Sequence, residues 1–355
     1  MKTKLVLLLL LGWARMALGQ NVVQIDTIYD SDRVSNPRFD ELNMPYKQYH
    51  QVLSLHDPIQ YLVWPYFSPA KDRMKPLEDR EGQEGYWLEG DLNYRFNLYK
   101  GAYYSPKWAK RLRATFDAGF TVRMTQDTSS PLLPSNNRFG LGADYLLSDN
   151  DIANSSFYSW LTLQVHHYSN GQSDNDFLHT SGQRNNYMGG DFSTNYIRGL
   201  IYLAKPCGDN KLISFGLGYQ KDMALGGPFK LSGEMDNGSY GLNRLLLNLQ
   251  WVRKPSFMVI EKNREINKRV LAKNPKMSFR SEMSLITDDN LVALAPTNKK
   301  YRFGVHNYLT YYLFEKSNVG LIIRHYYGRD YLNIRYDDVV HSIQTGFTVD
   351  VNRYY

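Results

Sequence analysis

The chain is poor in cysteine. Cys207 is the only one, so no intramolecular disulfide can staple the fold. It sits in Lys205-Pro-Cys-Gly-Asp-Asn210, a turn sequence, and no function is assigned to it. Long apolar runs are also missing. Past Leu11 no stretch reaches the roughly 18 apolar residues that a spanning helix needs, which excludes a membrane protein built on helices. Acidic residues are in the minority, 35 against 42 Lys and Arg, for a net charge of +7 and a pI near 9.1. That excess suits an anionic setting such as lipopolysaccharide or phospholipid headgroups, and equally suits solvated basic loops.

The apolar run that does exist is N-terminal and short. Lys2 and Lys4 precede Leu5 to Leu11, and Ala17-Leu18-Gly19 is a small-x-small pattern. Residues 1–19 read as a secretory signal peptide cut before Gln20, so the chain is expected to be exported and nucleic acid is not an expected partner. Aromatic residues are abundant: 28 Tyr, 16 Phe and 6 Trp. A mean hydropathy of −0.49 resembles that of a soluble protein, but a membrane barrel hides in such an average because only alternate strand residues are apolar. Composition leaves a secreted β-sandwich and a barrel with aromatic girdles both open.

Patterning decides between them. Residues 20–88 carry Pro37, Pro45, Pro58, Pro65, Pro69 and Pro76 with dense charge around Lys71 to Glu84, and read as an N-terminal extension. Within it, Tyr61-Leu-Val-Trp-Pro-Tyr-Phe67 is a first strand or an anchor. From about Gly90 alternation is regular: Leu92, Tyr94, Phe96 and Leu98 oppose Asn93, Arg95 and Asn97. Similar segments recur near 112–126, 137–147, 157–169, 193–204, 211–221, 240–253, 276–287, 301–315, 318–328 and 340–355. These make eleven or twelve strands, and even closure favours twelve. Residues 255–275, with heavy charge from Glu261 to Arg269, predict a loop. The last strand alternates Ile343, Phe347, Val349 and Val351 against Ser342, Gln344, Thr348 and Asp350 and ends on Tyr355, as outer-membrane barrels do. The expected fold is all-β, a membrane-spanning antiparallel up-and-down barrel over residues 89–355, with twelve strands favoured by closure. Arg95, Arg198, Arg244 and Arg324 are expected to form a charged lumen network with acidic partners.

One strand pair carries candidate chemistry. In Leu161-Thr-Leu-Gln-Val-His-His-Tyr-Ser-Asn-Gly171, Leu161, Leu163, Val165, His167 and Ser169 share one face. In the strand over 193–204, Asn195, Ile197, Gly199, Ile201 and Leu203 share the face opposite Arg198, and Arg198 cannot comfortably face lipid. Consecutive strands pair antiparallel, so His167, Ser169 and Asn195 fall outward near one end of adjacent strands. Ser169 is then a candidate nucleophile, His167 its base and Asn195 the group that fixes the imidazole tautomer. An amide is a cheaper orienter at a lipid boundary than a carboxylate. Asn185 and Asn186 compete for that role but lack the strand phase. His166 and His167 point to opposite faces and do not chelate one ion. His325 and His341 read as lumen or interface residues. The bland alternative is a polar strand end entering a loop.

His167-Tyr-Ser-Asn-Gly171 resembles the H-x-S-N-G motif of the bacterial outer-membrane phospholipase A family. Phe116-Asp-Ala-Gly-Phe-Thr-Val-Arg-Met-Thr-Gln126 with Ser129-Ser-Pro131, and Tyr326-Tyr-Gly-Arg-Asp-Tyr-Leu-Asn333, extend the likeness over roughly residues 90–355, with a poor match at 225–275. The resemblance implies a dimeric, calcium-activated barrel that hydrolyses phospholipid acyl esters at either position, with a Ser-His-Asn triad facing lipid. It implies an electrophilic role for Ca2+ beside the serine's own backbone N–H. It gives Gln172 as a calcium ligand through its backbone oxygen and Ser129 as the residue completing the site from a partner subunit. The loop between Ser169 and Asn195 is longer than the family's pattern. Asp174 and Asp176 are its hard oxygen donors, as calcium ligands or as ordinary loop solvation. Two further readings stand beside the esterase: a non-enzymatic pore or anchor, and a barrel enzyme acting on the acyl chains of lipopolysaccharide.

Overall fold

A computed structural model describes residues 50, 52–67, 86–101, 105–125, 132–133, 135–148, 157–170, 192–207, 211–225, 229, 231, 240–253, 276–291, 300–314, 319–332 and 339–350. Twelve antiparallel strands close on themselves. They are β1 (Gln60–Phe67), β2 (Tyr86–Lys100), β3 (Leu112–Thr125), β4 (Asn136–Leu146), β5 (Tyr158–Ser169) and β6 (Ser193–Pro206). The circuit continues with β7 (Lys211–Met223), β8 (Asn243–Arg253), β9 (Met277–Ile286), β10 (Phe303–Tyr311), β11 (Val319–Arg329) and β12 (Val339–Val349). Each strand pairs with its sequence neighbours, and β1 closes the ring on β12 with Gln60 opposite Val349. Closure leaves no exposed ladder edge. The register of β1 slips between Trp64 and Tyr66, where Pro65 has no N–H for the ladder.

The barrel therefore begins at Gln60, earlier than the residue-89 boundary expected from alternation. Its first strand is the Tyr61–Phe67 segment, which supplies the twelfth strand needed for closure. Of the two readings of this segment, strand or anchor, the strand holds, and its Tyr61 and Val63 are buried. The proposed signal peptide lies outside the described residues, as does the stretch 254–275 read as a loop.

The two faces obey the period-two pattern with the usual polarity reversed. Outward residues are apolar and exposed, among them Leu141, Leu163, Ile201, Phe215, Leu217 and Ile323 at 42–58%. Inward residues are polar and buried. Arg95 grips Asp117 through paired bonds of 2.7 Å, and Arg113 meets Asp144 at 2.8 Å. Arg123 bridges Glu89 at 3.0 Å and Asp330 at 2.8 Å, while Arg324 reaches Glu89 and Gln344 at 2.6 Å. Arg244 pairs with Asp222. Arg198 finds an amide, Gln220, in place of the expected acid. So dense a set of buried charges holds because Arg95, Arg113, Arg123, Arg244 and Arg324 each meet a carboxylate directly.

The rim where β1 starts and β12 ends is stoppered. Residues 52–59 turn into the lumen before β1 begins. Val52, Leu53 and Leu55 pack with Leu146, Trp160, Tyr202 and Leu212. Burial of each such side chain is worth about 2 kcal/mol. Asp57 then lies between Arg95 and Arg113, 3.1 Å from each, and Arg280 donates to the Leu55 and Asp57 carbonyls. The connections 170–192 and 224–242 leave from the opposite rim.

Candidate active site

The candidate residues sit on the outer surface at that loop-bearing rim. Pairing of β4, β5, β6 and β7 sets Phe139, His167, Asn195 and Met223 in one row across four strands. Directly opposed residues on one face approach closely enough for side chains to bond. His167 Nδ1 lies 2.8 Å from Asn195 Oδ1. The expected outward phase of both residues is observed.

Asn195 is fully buried despite its outward phase. Its amide nitrogen donates to the Met223 carbonyl at 3.2 Å and the Phe229 carbonyl at 3.1 Å. Both amide protons are thus committed, and Oδ1 is left facing the imidazole. An amide oxygen only accepts, so His167 carries its proton on Nδ1 and leaves the Nε2 lone pair free. This tautomer is the one a base needs.

Two phenylalanines enclose the ring. The His167 ring centroid lies 5.0 Å from that of Phe139 and 5.3 Å from that of Phe229, and these two rings are 6.1 Å apart. Leu225 N donates to the Phe229 carbonyl, which folds the chain back over Asn195. Phe229 thus both walls the imidazole and fixes its orienter. Nothing in the sequence singled it out, since Gly226-Gly-Pro228 before it signals only a turn.

Ser169 is the last residue of β5, half-buried on the same outward face and opposite Ser193. Among the described residues no hydrogen bond joins its hydroxyl to His167 Nε2. Catalytic hydrogen bonds of this kind commonly close only around substrate. Asn170 and Phe192 meet where β5 ends and β6 begins: the Asn170 N–H donates to the Phe192 carbonyl at 3.1 Å, and its side-chain oxygen accepts from Phe192 N at 3.0 Å. His166 points into the lumen, with Nδ1 2.7 Å from the Tyr196 hydroxyl and Nε2 3.2 Å from Asp117, so the two adjacent histidines do face opposite ways.

Ser129, Gln172, Asp174 and Asp176, the calcium ligands implied by resemblance, lie outside the described residues, as do Asn185 and Asn186. Among the described residues no group of three or more His, Cys, Asp and Glu side chains is arranged to hold a metal ion.

No family model matches the chain, and no curated protein matches it. Among solved structures, outer membrane phospholipase A from Escherichia coli aligns at 13% identity with a TM-score of 0.48, over 83% of this chain and 90% of that one. The calcium-bound dimer of the Salmonella typhi outer membrane phospholipase aligns at 12% and 0.48, over 82% and 90%. OccK11 (OpdR) of Pseudomonas aeruginosa aligns at 13% and 0.28, over 81% and 75%. Likeness at this level does not bear on chemistry.

Proposed function

We propose that this protein is an outer-membrane esterase that hydrolyses the acyl esters of phospholipids, with Ser169, His167 and Asn195 as its triad. The observation that carries the reading is the His167–Asn195 pair on the apolar outer face, with its tautomer fixed by the double commitment of the Asn195 amide. A belt of exposed Leu, Ile and Phe is costly in water and favourable in lipid, which supports a membrane setting. A nucleophile on that face meets acyl esters without drawing the lipid out of the bilayer.

The chemistry follows from the atoms. Ser169 Oγ attacks the ester carbonyl carbon and passes its proton to His167 Nε2. The imidazolium is held by Asn195 through Nδ1–H and returns the proton to the departing alkoxide. Water then repeats the sequence on the acyl-serine, releasing fatty acid and free serine. Calcium is part of the proposal through resemblance and the chemistry of its donor set: the Gln172 carbonyl, the Ser129 hydroxyl of a partner subunit, Asp174 and Asp176 are all hard oxygen donors. When bound, it would supply positive charge toward the oxyanion. A reversible homodimer belongs to the same proposal.

The pore reading has less support. The stopper built from residues 52–59 occupies one rim, and the lumen above it holds a polar cavity of about 390 Å³ crossed by arginine–carboxylate pairs. The deciding experiment is fatty-acid release from phospholipid micelles by the refolded protein, with calcium or with chelator, beside Ser169→Ala. Calcium-dependent release that disappears in the variant is the expected result. A folded wild type that releases nothing overturns the phospholipase reading. Release from lipopolysaccharide alone would reassign the substrate.

A further inference from the structure

A second constellation of polar side chains stands on the outer face, six strands around the ring from the first. Asn307 on β10, His325 on β11 and His341 on β12 all take the outward phase, with His325 opposite Ile343 and His341 one diagonal step away opposite Tyr327. The Asn307 side-chain nitrogen lies 2.9 Å from His325 Nδ1. The two imidazoles meet nitrogen to nitrogen, with His325 Nε2 3.2 Å from His341 Nε2 and the ring planes at 80°. Tyr327 packs edge-on against His341 at 5.5 Å.

Without a metal, one proton serves this contact. Asn307 donates to His325 Nδ1, so His325 carries its proton on Nε2 and donates it to the lone pair of His341 Nε2. Two nitrogen ligands on a tetrahedral zinc ion, each with a bond of roughly 2.0–2.1 Å, stand about 3.3 Å apart. The observed separation matches that edge.

We propose that His325 and His341 form a binding site for a divalent transition metal on the outer surface of the barrel, with zinc as the reference ion. The metal replaces the bridging proton. His325 moves its proton from Nε2 to Nδ1, and the Asn307 amide rotates so that its oxygen accepts it. No proton is lost, and both Nε2 lone pairs face the ion. A histidine ligand held by a second hydrogen bond at its far nitrogen is the usual arrangement around such metals. Imidazole nitrogens select zinc, nickel and copper, whereas calcium requires oxygen donors. Among the described residues no third His, Cys, Asp or Glu joins the pair. This inference rests on the barrel and these three side chains and is independent of the esterase reading.

Zinc titration of the folded, detergent-solubilised protein by calorimetry tests it, with folding of every variant checked by heat-dependent gel migration. The wild type should bind zinc, and His325→Ala and His341→Ala should each weaken this binding at least about tenfold. Asn307→Ala should weaken it less, and His167→Ala should leave it unchanged. Should a histidine variant not fold, the unaltered protein still decides: zinc should protect His325 and His341 from carbethoxylation, read by peptide mass spectrometry. Zinc binding that persists in the His325→Ala/His341→Ala protein, or equal modification of both histidines with and without zinc, overturns the proposal.

Discussion

A single amide sets the chemistry of the candidate site. Asn195 has one acceptor to offer and both donors already engaged by the Met223 and Phe229 carbonyls. Asn195→Ala removes the group that holds the His167 tautomer but leaves the proposed base in place. Phospholipid hydrolysis should therefore fall about tenfold or more, yet less than in Ser169→Ala, where turnover should be lost. Initial rates of fatty-acid release from the two variants and the wild type, with circular dichroism to confirm the barrel, check the order. If Asn195→Ala retained full activity, the orienting role would pass to another residue.

At the scale of elements, the stopper depends on electrostatic matching as much as on packing. Asp57 is the anion that lets Arg95 and Arg113 share one end of a narrow lumen. Asp57→Ala removes the carboxylate shared by the two guanidiniums, which keep Asp117 and Asp144, and should weaken docking of the segment by about 1.5–3 kcal/mol, as loss of a charge-assisted hydrogen bond does. Limited proteolysis should cut the variant ahead of Gln60 while the strands survive, and conductance across a planar bilayer should rise.

The same segment should respond to acid. Burial, and then the charges of Arg113 and Lys100, pull His50 from 6.5 down to about 4, against an opposing pull from Asp144. Burial, then Arg280, holds His56 well below its ordinary value. Both are bases kept neutral by the fold, so the docked state binds fewer protons than the released one. The His50 contribution is complete above about pH 6.5 and is lost as pH falls toward about 4, and that of His56 is lost in the same direction, below its ordinary value. The His56 ring lies edge-on to Trp160 at 5.1 Å. Tryptophan fluorescence should therefore change over that window, and protease sensitivity should rise with it. Undocking at higher pH instead would contradict the assignment.

For the whole molecule, the inverted distribution of polarity is the governing fact. Leu163 sits in the middle of β5 on the outer face, half exposed. If that face meets lipid, Leu163→Arg should cost about 2–4 kcal/mol near the bilayer midplane, measured by urea titration of folding into phospholipid vesicles. In a barrel whose outer face met water, the same change would be nearly neutral. The wild type should also migrate differently in gels before and after heating, because a closed ladder has no edge from which to unzip.

Much of this was legible in the sequence because strand side chains have a period of two. The alternation of Leu92, Tyr94, Phe96 and Leu98 with their polar neighbours, repeated along the chain, determined an all-β architecture and which residues face which way. The same periodicity put His167 and Asn195 on one face and His166 on the other. It left Tyr61–Phe67 as either a first strand or an anchor, because prolines interrupt the pattern there, and closure of Gln60 against Val349 decided for the strand. Nor did it indicate Phe229, whose carbonyl reaches Asn195 from 34 residues away. Likewise it read His325 and His341 as lumen or interface residues, whereas the barrel turns both outward and into contact. Their contact depends on the register of β11 against β12, and a slip of one residue would have turned either one inward. Periodicity is a local property, carried by each residue and its neighbours. Register, closure and the choice of hydrogen-bond partner are relations between distant segments, and only the folded barrel decides them.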